Sequence, residues 1–428
     1  MQKLIRMFTL FMVTVIILTA CTQTQQVDEP QDIVGEEVAE VVVEVPEVEE
    51  EVVAEEPEEE FIFGILMVGP FNDRGWSEAH YIGGQYVEAN LPGTKMIYID
   101  KVNPADRPGT TPDQLAEELV AQGAKLIIFN SDDMKDGSYD FAVKYPEIPV
   151  LHISGDFAWE DGMNYKGLPN YANYMPEMEY GEMIGGCAAA LESNTGKLGF
   201  VGPLINDETR RYVNAYYLGA EYCWTEYLDK PIEELELKVT WIGFWFHIPG
   251  FTTDPTLVAD EFLNSGYDVI GSGLDTTEPL VQTEKAAAAG ADVKAVAYDY
   301  EFACEEAPDI CLGVRYFNWG PEYLRVVKMV QEGTFEPYWG FGQPDWTNIN
   351  NPDTSAVGYL KGDGLSEENA VLLDQFIAEL GAGLNLWVGP LNWQDGSVFL
   401  ADGEEASLVQ MWYSGQLLEG IEGQSISE

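Results

Sequence analysis

The segment FIFGILMVGPFNDRGWSEAHYIGG, residues 61–84, joins an apolar run, a polar turn and a helix-like stretch. The apolar run has the length and composition of a buried strand. The turn after it carries Asn72, Asp73, Arg74 and Trp76 rather than plain turn residues. A strand followed by a helix indicates one unit of a parallel α/β sheet, and the composition of the turn predicts a binding role for Asp73 and Trp76.

The same alternation continues along the chain. Helix-like segments such as TPDQLAEELVAQG and TEPLVQTEKAAAAG separate short apolar runs, and this order predicts parallel sheets with helices on both faces. The part of the chain after residue 60 is larger than one core usually holds, so we expect two such lobes. The candidate strands are residues 61–68, 95–100, 125–130, 149–153, 197–202, 236–243, 267–272 and 293–298.

The N-terminus has the features of an exported lipoprotein. Residues 1–20 contain Lys3 and Arg6, then an apolar run that ends in LTAC, which predicts a signal peptide and lipidation of Cys21. An uncut anchor helix is the alternative. Residues 21–60 are expected to form a disordered acidic tether, because 16 Asp or Glu and no Lys or Arg fall between residues 28 and 60.

The whole chain is acidic, with a formal net charge of −53. Nucleic-acid binding depends on clustered Lys and Arg, so nucleic acid is excluded as a partner. Three histidines, and no Cys/His cluster, favour neither a metal site nor a cofactor. The expected localisation is extracytoplasmic, with Cys21 anchoring the protein to the cell membrane.

Besides Cys21 there are four cysteines, an even number that suits an exported protein. Three pairings are possible. Sequence proximity favours Cys304 with Cys311 and Cys187 with Cys223, and four buried free thiols remain the alternative.

Polar and aromatic residues follow the predicted strands, where ligands of open parallel sheets bind. Five of them also have a structural interpretation: Trp76 as core, Asp73, Asp132 and Asp275 as helix caps, and Trp319 as packing between lobes. No serine, histidine or metal constellation accompanies them. The candidate ligand-binding residues at strand ends are Asn72, Asp73, Trp76, Ser131, Asp132, Asp275, Asp299 and Trp319.

From residue 61 to about 423 the chain resembles the basic membrane protein (BMP, PnrA-like) family of ABC transporter solute-binding lipoproteins. Asp73, Trp76 and Gly83 occupy the positions of that family's first-strand motif, and further matches include KLGFVGPLINDETRRYVNAYYLGA and FNWGPEYLRVVKMVQEGTF. The resemblance implies a type I periplasmic-binding-protein fold, in which the chain crosses three times between two Rossmann-like lobes. The expected N-terminal lobe is 61–175 with 299–335, and the C-terminal lobe is 176–298 with 336–428.

Members of this family bind purine bases or nucleosides. The resemblance implies that Trp76 stacks on the base, Asp73 anchors it and Asp299 holds ribose hydroxyls. A second stacking aromatic would be Phe251, with Trp245 and Phe246 as equal candidates because of the inserted WFHIPG.

One departure concerns a lysine that nucleoside binders place after the strand following the Asp299 region. This chain has Asn318, Trp319 and Gly320 there, which favours a free base.

The favoured function is therefore a monomeric solute-binding lipoprotein, not an enzyme, that delivers a purine to an ABC permease. Two alternatives are a secreted nucleosidase or glycosidase that uses paired carboxylates, and a receptor that presents its ligand to a membrane sensor.

Overall fold

The computed structural model describes residues 60–426. The predicted signal peptide, the lipidation at Cys21 and all but the last residue of the acidic tether lie outside the described residues. Within residues 60–426, no helix is both long and apolar enough to cross a membrane.

The first lobe is built on a six-stranded sheet in which every pair of neighbours is parallel. Its strands are short apolar runs, because helices cover both faces of the sheet. Four helices belong to this lobe: α1 (Trp76–Asn90), α2 (Pro112–Ala121), α3 (Lys135–Lys144) and α8 (Gly320–Gln331). In spatial order the strands are β11 (Trp339–Gly342), β5 (Tyr171–Pro176), β4 (Val150–Ile153), β3 (Ile127–Phe129), β1 (Phe61–Leu66) and β2 (Thr94–Ile99).

The second lobe contains a seven-stranded sheet whose pairs are parallel except for one antiparallel pair at an edge. Its strands, in spatial order, are β12 (Val357–Lys361), β10 (Cys311–Phe317), β9 (Lys294–Asp299), β8 (Val269–Ser272), β6 (Lys197–Gly202), β7 (Glu236–Trp241) and β15 (Ile421–Glu422). The remaining elements are α4 (Met178–Glu192), α5 (Asp207–Tyr222), α6 (Pro255–Asn264), α7 (Glu278–Ala288), α9 (Glu367–Gly381), α10 (Leu408–Trp412), β13 (Leu391–Asn392) and β14 (Val398–Leu400).

The fold class expected from the sequence is present, and each of the eight predicted strands overlaps an observed one. The chain leaves the first sheet after β5, returns after β10 through α8, and leaves again between β11 and β12.

These crossings differ from the expected ones, which assign residues 299–335 to the first lobe and residues 336–428 to the second. β10 lies inside the second sheet between β9 and β12, and β11 lies in the first. The physical reason is that Asp299 ends β9 without leaving the lobe, since the next strand, β10, is fully buried beside it.

Helices α4 and α5 pack closely against each other in the second lobe. Gly186 permits the contact, because a Cβ atom there would lie 1.9 Å from the carbonyl oxygen of Tyr216. A disulfide joins Cys187 to Cys223, and another joins Cys304 to Cys311. The two pairs are those that sequence proximity favours.

A buried ion pair ties α4 to the second sheet. Arg315 on β10 lies 2.7 Å from the carboxylate of Glu182, and both side chains are fully buried. The guanidinium also donates to the carbonyl oxygens of Ala297 and Ser272, at 2.9 and 2.6 Å. Arg315 therefore links the carboxyl ends of β8 and β9 to the helix that covers them.

Candidate functional site

The two lobes enclose a small cavity at the carboxyl ends of their strands. This position is where open parallel sheets bind ligands. Its volume is about 20 Å³, little more than a single water requires. The lining residues are Trp76, Ser131, Asp132, Ser154, Glu208, Trp245, Gly273, Asp275 and Tyr298.

A larger outer chamber adjoins this inner cavity. Its volume is about 350 Å³, and it shares Asp132, Ser154 and Glu208 with the inner cavity. Lys135, Lys166 and several carboxylates also line it. The two spaces together form a cleft that is narrow inside and wider towards solvent.

The lobes touch directly across the cleft. The backbone N–H of Trp76 donates to the carbonyl oxygen of Asp275 at 3.4 Å, and the hydroxyl of Ser154 donates to Glu208 at 3.0 Å. A Cβ atom on Gly75 would lie only 1.8 Å from the Asp275 carbonyl oxygen. The described conformation is therefore closed, and it requires glycine at position 75.

Trp76 is held rigidly at the edge of the inner cavity. Its indole N–H donates to the carbonyl oxygen of Asn130 at 2.8 Å. Phe317 and Trp319 meet its ring edge to face, with centroids 5.1 and 5.3 Å away. Since the ring is 6% exposed and lines the cavity, its orientation is set before any ligand arrives.

Asp73 acts as a cap for the first helix. Its carboxylate accepts from the backbone N–H groups of Gly75, Ser77 and Glu78, each at 3.0 Å. Burial raises the pKa of Asp73 to about 6, although these N–H groups oppose the rise. The capping alternative from the sequence therefore describes its contacts, and Asp73 is not among the residues that line the inner cavity.

Two further carboxyl groups lie at the ends of β8 and β9. Burial raises the pKa values of Asp275 and Asp299 well above their ordinary range. The nearby carboxyl groups of Asp73 and Glu208 raise the pKa of Asp275 further, and those of Asp275 and Asp73 raise that of Asp299. Asp299 is fully buried, its φ is +70°, and neither carboxylate oxygen has a hydrogen-bond partner among residues 60–426. Such backbone strain and unpaired oxygens are typical of functional sites.

The other candidates divide between cavity and surroundings. Ser131 and Asp132 line the inner cavity, whereas Asn72 is exposed. Trp319 is 1% exposed and stacks on Phe317 behind Trp76, so its contacts fit the packing alternative.

Of the three candidates for a second aromatic, Trp245 lines the inner cavity. Phe251 is 87% exposed and does not line it, because the 243–252 loop turns that side chain to solvent. Phe246 packs against the core of the first lobe.

Four cavity residues were missed by sequence reasoning: Ser154, Glu208, Gly273 and Tyr298. Ser154 directly follows β4, so the strand-end rule would have found it. Glu208 lies in the first turn of α5, where acidic residues are common because they stabilise the helix N-terminus. Burial raises the pKa of Glu208 to about 7.

Within the described residues, no cluster of three or more His, Cys, Asp or Glu side chains is arranged to hold a metal ion. The aromatic and carboxyl groups of the cleft are suited to holding a planar molecule with polar edges.

Comparisons with known proteins identify a family model and a relative that match this chain. The family model "ABC transporter substrate-binding protein PnrA-like" matches residues 62–283. A purine-binding protein of Brucella abortus (strain 2308) is 25% identical over 351 residues, which cover 82% of this chain and 89% of that protein.

Solved structures share the fold at low sequence identity. An ABC transporter solute-binding protein from Aeropyrum pernix K1 superposes with a TM-score of 0.58 and 16% identity, covering 78% of this chain and 93% of that one. A solute-binding protein from Conexibacter woesei DSM 14684 superposes with a TM-score of 0.53 and 15% identity, covering 76% of this chain and 97% of that one.

Proposed function

The chain belongs to the PnrA-like family of ABC transporter substrate-binding proteins, and we propose that it binds a purine base between its lobes and delivers it to an ABC permease. The Brucella relative is named a purine-binding protein, which supports this class of ligand. Binding and release require the lobes to separate, because the closed inner cavity is only about 20 Å³.

The observation that carries the proposal is a pair of indole rings in one cavity. Trp76 comes from the first lobe and Trp245 from the second, and both line the inner cavity. Stacking of a nucleobase on an aromatic ring contributes roughly 1–3 kcal/mol per base. Two rings from opposite lobes would therefore favour closure around a planar heterocycle.

The polar edge of the base would meet carboxyl groups. Asp275 lines the cavity, and Asp299 lies at the end of the neighbouring strand with both oxygens unpaired. A hydrogen bond to a charged group contributes about 1.5–3 kcal/mol, so these groups would decide which base binds. In this proposal Asp73 acts indirectly, by fixing the turn that presents Trp76.

The choice of a base over a nucleoside rests on the position of the missing lysine. Asn318 stands there, and its amide donates to the carbonyl oxygens of Pro352 and Ser355, within the segment that returns to the second lobe. The Asn318 amide therefore bonds to a segment that connects the two lobes, and it brings no positive charge to a ribose.

Calorimetric titration with adenine, guanine, hypoxanthine and their nucleosides tests the proposal, followed by chromatography of the mixture. We expect tight binding of an unaltered base and weaker binding of the matching nucleoside. A nucleoside cleaved to base and sugar would support the enzyme alternative, and absence of binding by all purines would refute the proposal.

The proposal includes attachment to the membrane as a monomeric lipoprotein, without enzymatic activity. The membrane attachment is supported by the LTAC sequence at residues 18–21 together with the family's role outside the cytoplasm. Mass spectrometry of the membrane fraction should find acylated Cys21, and Cys21→Ala should release the protein from the membrane. Sedimentation of the detergent-solubilised protein tests whether it is monomeric.

A further inference from the structure

The polar side chains around the inner cavity are almost all hydrogen-bond acceptors. Three carboxyl groups line it, those of Asp132, Glu208 and Asp275. The other polar groups are the hydroxyls of Ser131, Ser154 and Tyr298 and the indole N–H groups of Trp76 and Trp245, of which that of Trp76 donates to Asn130. Among the described residues, no Lys, Arg, His, Asn or Gln lines this cavity.

One hydroxyl cannot offer a hydrogen to a ligand in the closed form. Ser154 donates its only hydroxyl hydrogen to Glu208 at 3.0 Å, and its oxygen accepts from the backbone N–H of Gly155 at 2.7 Å. The hydroxyls of Ser131 and Tyr298 and the indole N–H of Trp245 therefore remain as possible side-chain donors. Three carboxyl groups line the same cavity as these three donors.

Among the described residues, the two fully buried arginines already have carboxylate partners. Arg211 pairs with Glu179 and lines the outer chamber, and Arg315 pairs with Glu182. Neither guanidinium lines the inner cavity. Asp299, at the end of the strand that carries Tyr298, adds two further unpaired acceptor oxygens.

We propose, on the basis of the proposed function, that the preferred ligand is an aminopurine, a purine whose exocyclic NH₂ and ring N–H groups donate to these carboxyl oxygens. A 6-oxopurine such as hypoxanthine places a carbonyl oxygen where adenine has an amino group. That oxygen would face carboxyl oxygens, so both partners would be left unpaired, which costs more than a lost hydrogen bond alone.

The preference belongs to the ionised form of these carboxyl groups. A neutral carboxyl group has an O–H that could donate to a 6-oxo group, whereas a carboxylate only accepts. A ligand N–H that donates to a carboxylate favours its ionised form, so binding of an aminopurine stabilises the state that rejects a 6-oxopurine.

Competition calorimetry at constant pH with adenine, 2,6-diaminopurine and hypoxanthine tests the inference. We expect adenine to bind roughly 10- to 100-fold more tightly than hypoxanthine, from one charged hydrogen bond gained and one repulsive contact avoided. Diaminopurine is expected to bind at least as tightly as adenine.

Glu208→Gln provides a matched reversal of polarity, because glutamine has the same shape and adds an N–H donor. It is expected to lower the adenine-to-hypoxanthine affinity ratio about tenfold. The control Asp133→Asn changes an exposed carboxyl group that does not line the cavity and should leave the ratio unchanged.

The outcomes separate the two proposals. Equal or tighter binding of hypoxanthine by the unmodified protein would overturn the aminopurine inference and leave the purine-binding function intact. Failure of every purine to bind would overturn both. The comparison of adenine with hypoxanthine on the wild-type protein is decisive by itself. The test therefore does not depend on whether the Glu208→Gln variant folds.

Discussion

Substitution Gly75→Ala is expected to prevent full closure of the lobes while leaving each lobe folded. An alanine Cβ would lie 1.8 Å from the carbonyl oxygen of Asp275, and that atom is backbone of the opposite lobe, so no side-chain rotation relieves the overlap. The φ of Gly75 is −151°, outside the left-handed region, so the cost comes from the contact across the cleft.

The magnitude follows from the contacts that closure makes. Two cross-lobe hydrogen bonds would be lost, the 3.4 Å bond from the Trp76 N–H to the Asp275 carbonyl oxygen and the 3.0 Å bond from Ser154 to Glu208. A neutral hydrogen bond contributes ~0.5–1.5 kcal/mol and one to a charged group ~1.5–3 kcal/mol. Their combined loss is about 2–4.5 kcal/mol, which weakens purine binding roughly 30- to 2000-fold.

The assay is calorimetric titration with adenine, together with thermal unfolding to verify the fold. Gly415→Ala is the matched control, because a Cβ atom there would meet nothing within 4 Å. We expect Gly415→Ala to bind as the wild type does. Wild-type affinity in Gly75→Ala would refute the inference that this closed arrangement is the ligand-binding state.

Three further predictions concern the stacking ring of Trp76 and the buried carboxyl groups of Glu182 and Glu208. Trp76→Ala should weaken purine binding at least tenfold through the lost stacking, whereas Phe251→Ala, at an exposed ring, should change calorimetric affinity little. Glu182→Gln should lower the free energy of unfolding at pH 8 by about 3 kcal/mol, measured with urea, because it leaves Arg315 as a buried charge without its partner. Burial raises the pKa of Glu208 from 4.5 to about 7, so the folded protein holds a proton that the unfolded chain releases, and stability falls as pH rises through this window. Melting temperatures of Glu208→Gln should therefore fall less steeply over the same range.

Each of these predictions has a contradicting result. Equal losses in Trp76→Ala and Phe251→Ala would place the ligand elsewhere. An unchanged urea midpoint in Glu182→Gln would mean that Arg315 is satisfied by its carbonyl partners alone. Parallel pH profiles for the wild type and Glu208→Gln would exclude titration of this carboxyl group in that range.

Periodicity was sufficient to predict the sheets, since buried parallel strands must be short apolar runs bounded by polar turns. The strand-end rule then placed Trp76, Ser131, Asp132 and Asp275 near one another, because parallel strands bring their carboxyl ends to the same edge. The chain alternation and the motifs of residues 61–84 thus determined the lobes and the location of the cleft.

The roles of individual carboxylates depended on tertiary structure. Asp73 and Glu208 both stand near the start of a helix, where an acidic residue stabilises the helix whatever else it does. The fold commits Asp73 to three backbone N–H groups and turns Glu208 into the cleft. The sequence contains no signal that separates these two outcomes.

The aromatic partner of Trp76 was undetermined for a related reason. Trp245, Phe246 and Phe251 lie within one loop, and the path of a loop is set by the surfaces it meets rather than by local preference. The amino-acid sequence by itself determined the two-lobed α/β fold, because burial of apolar runs is a local and periodic requirement. Only tertiary structure decided which side chains face the cleft, because that depends on where the two lobes come into contact.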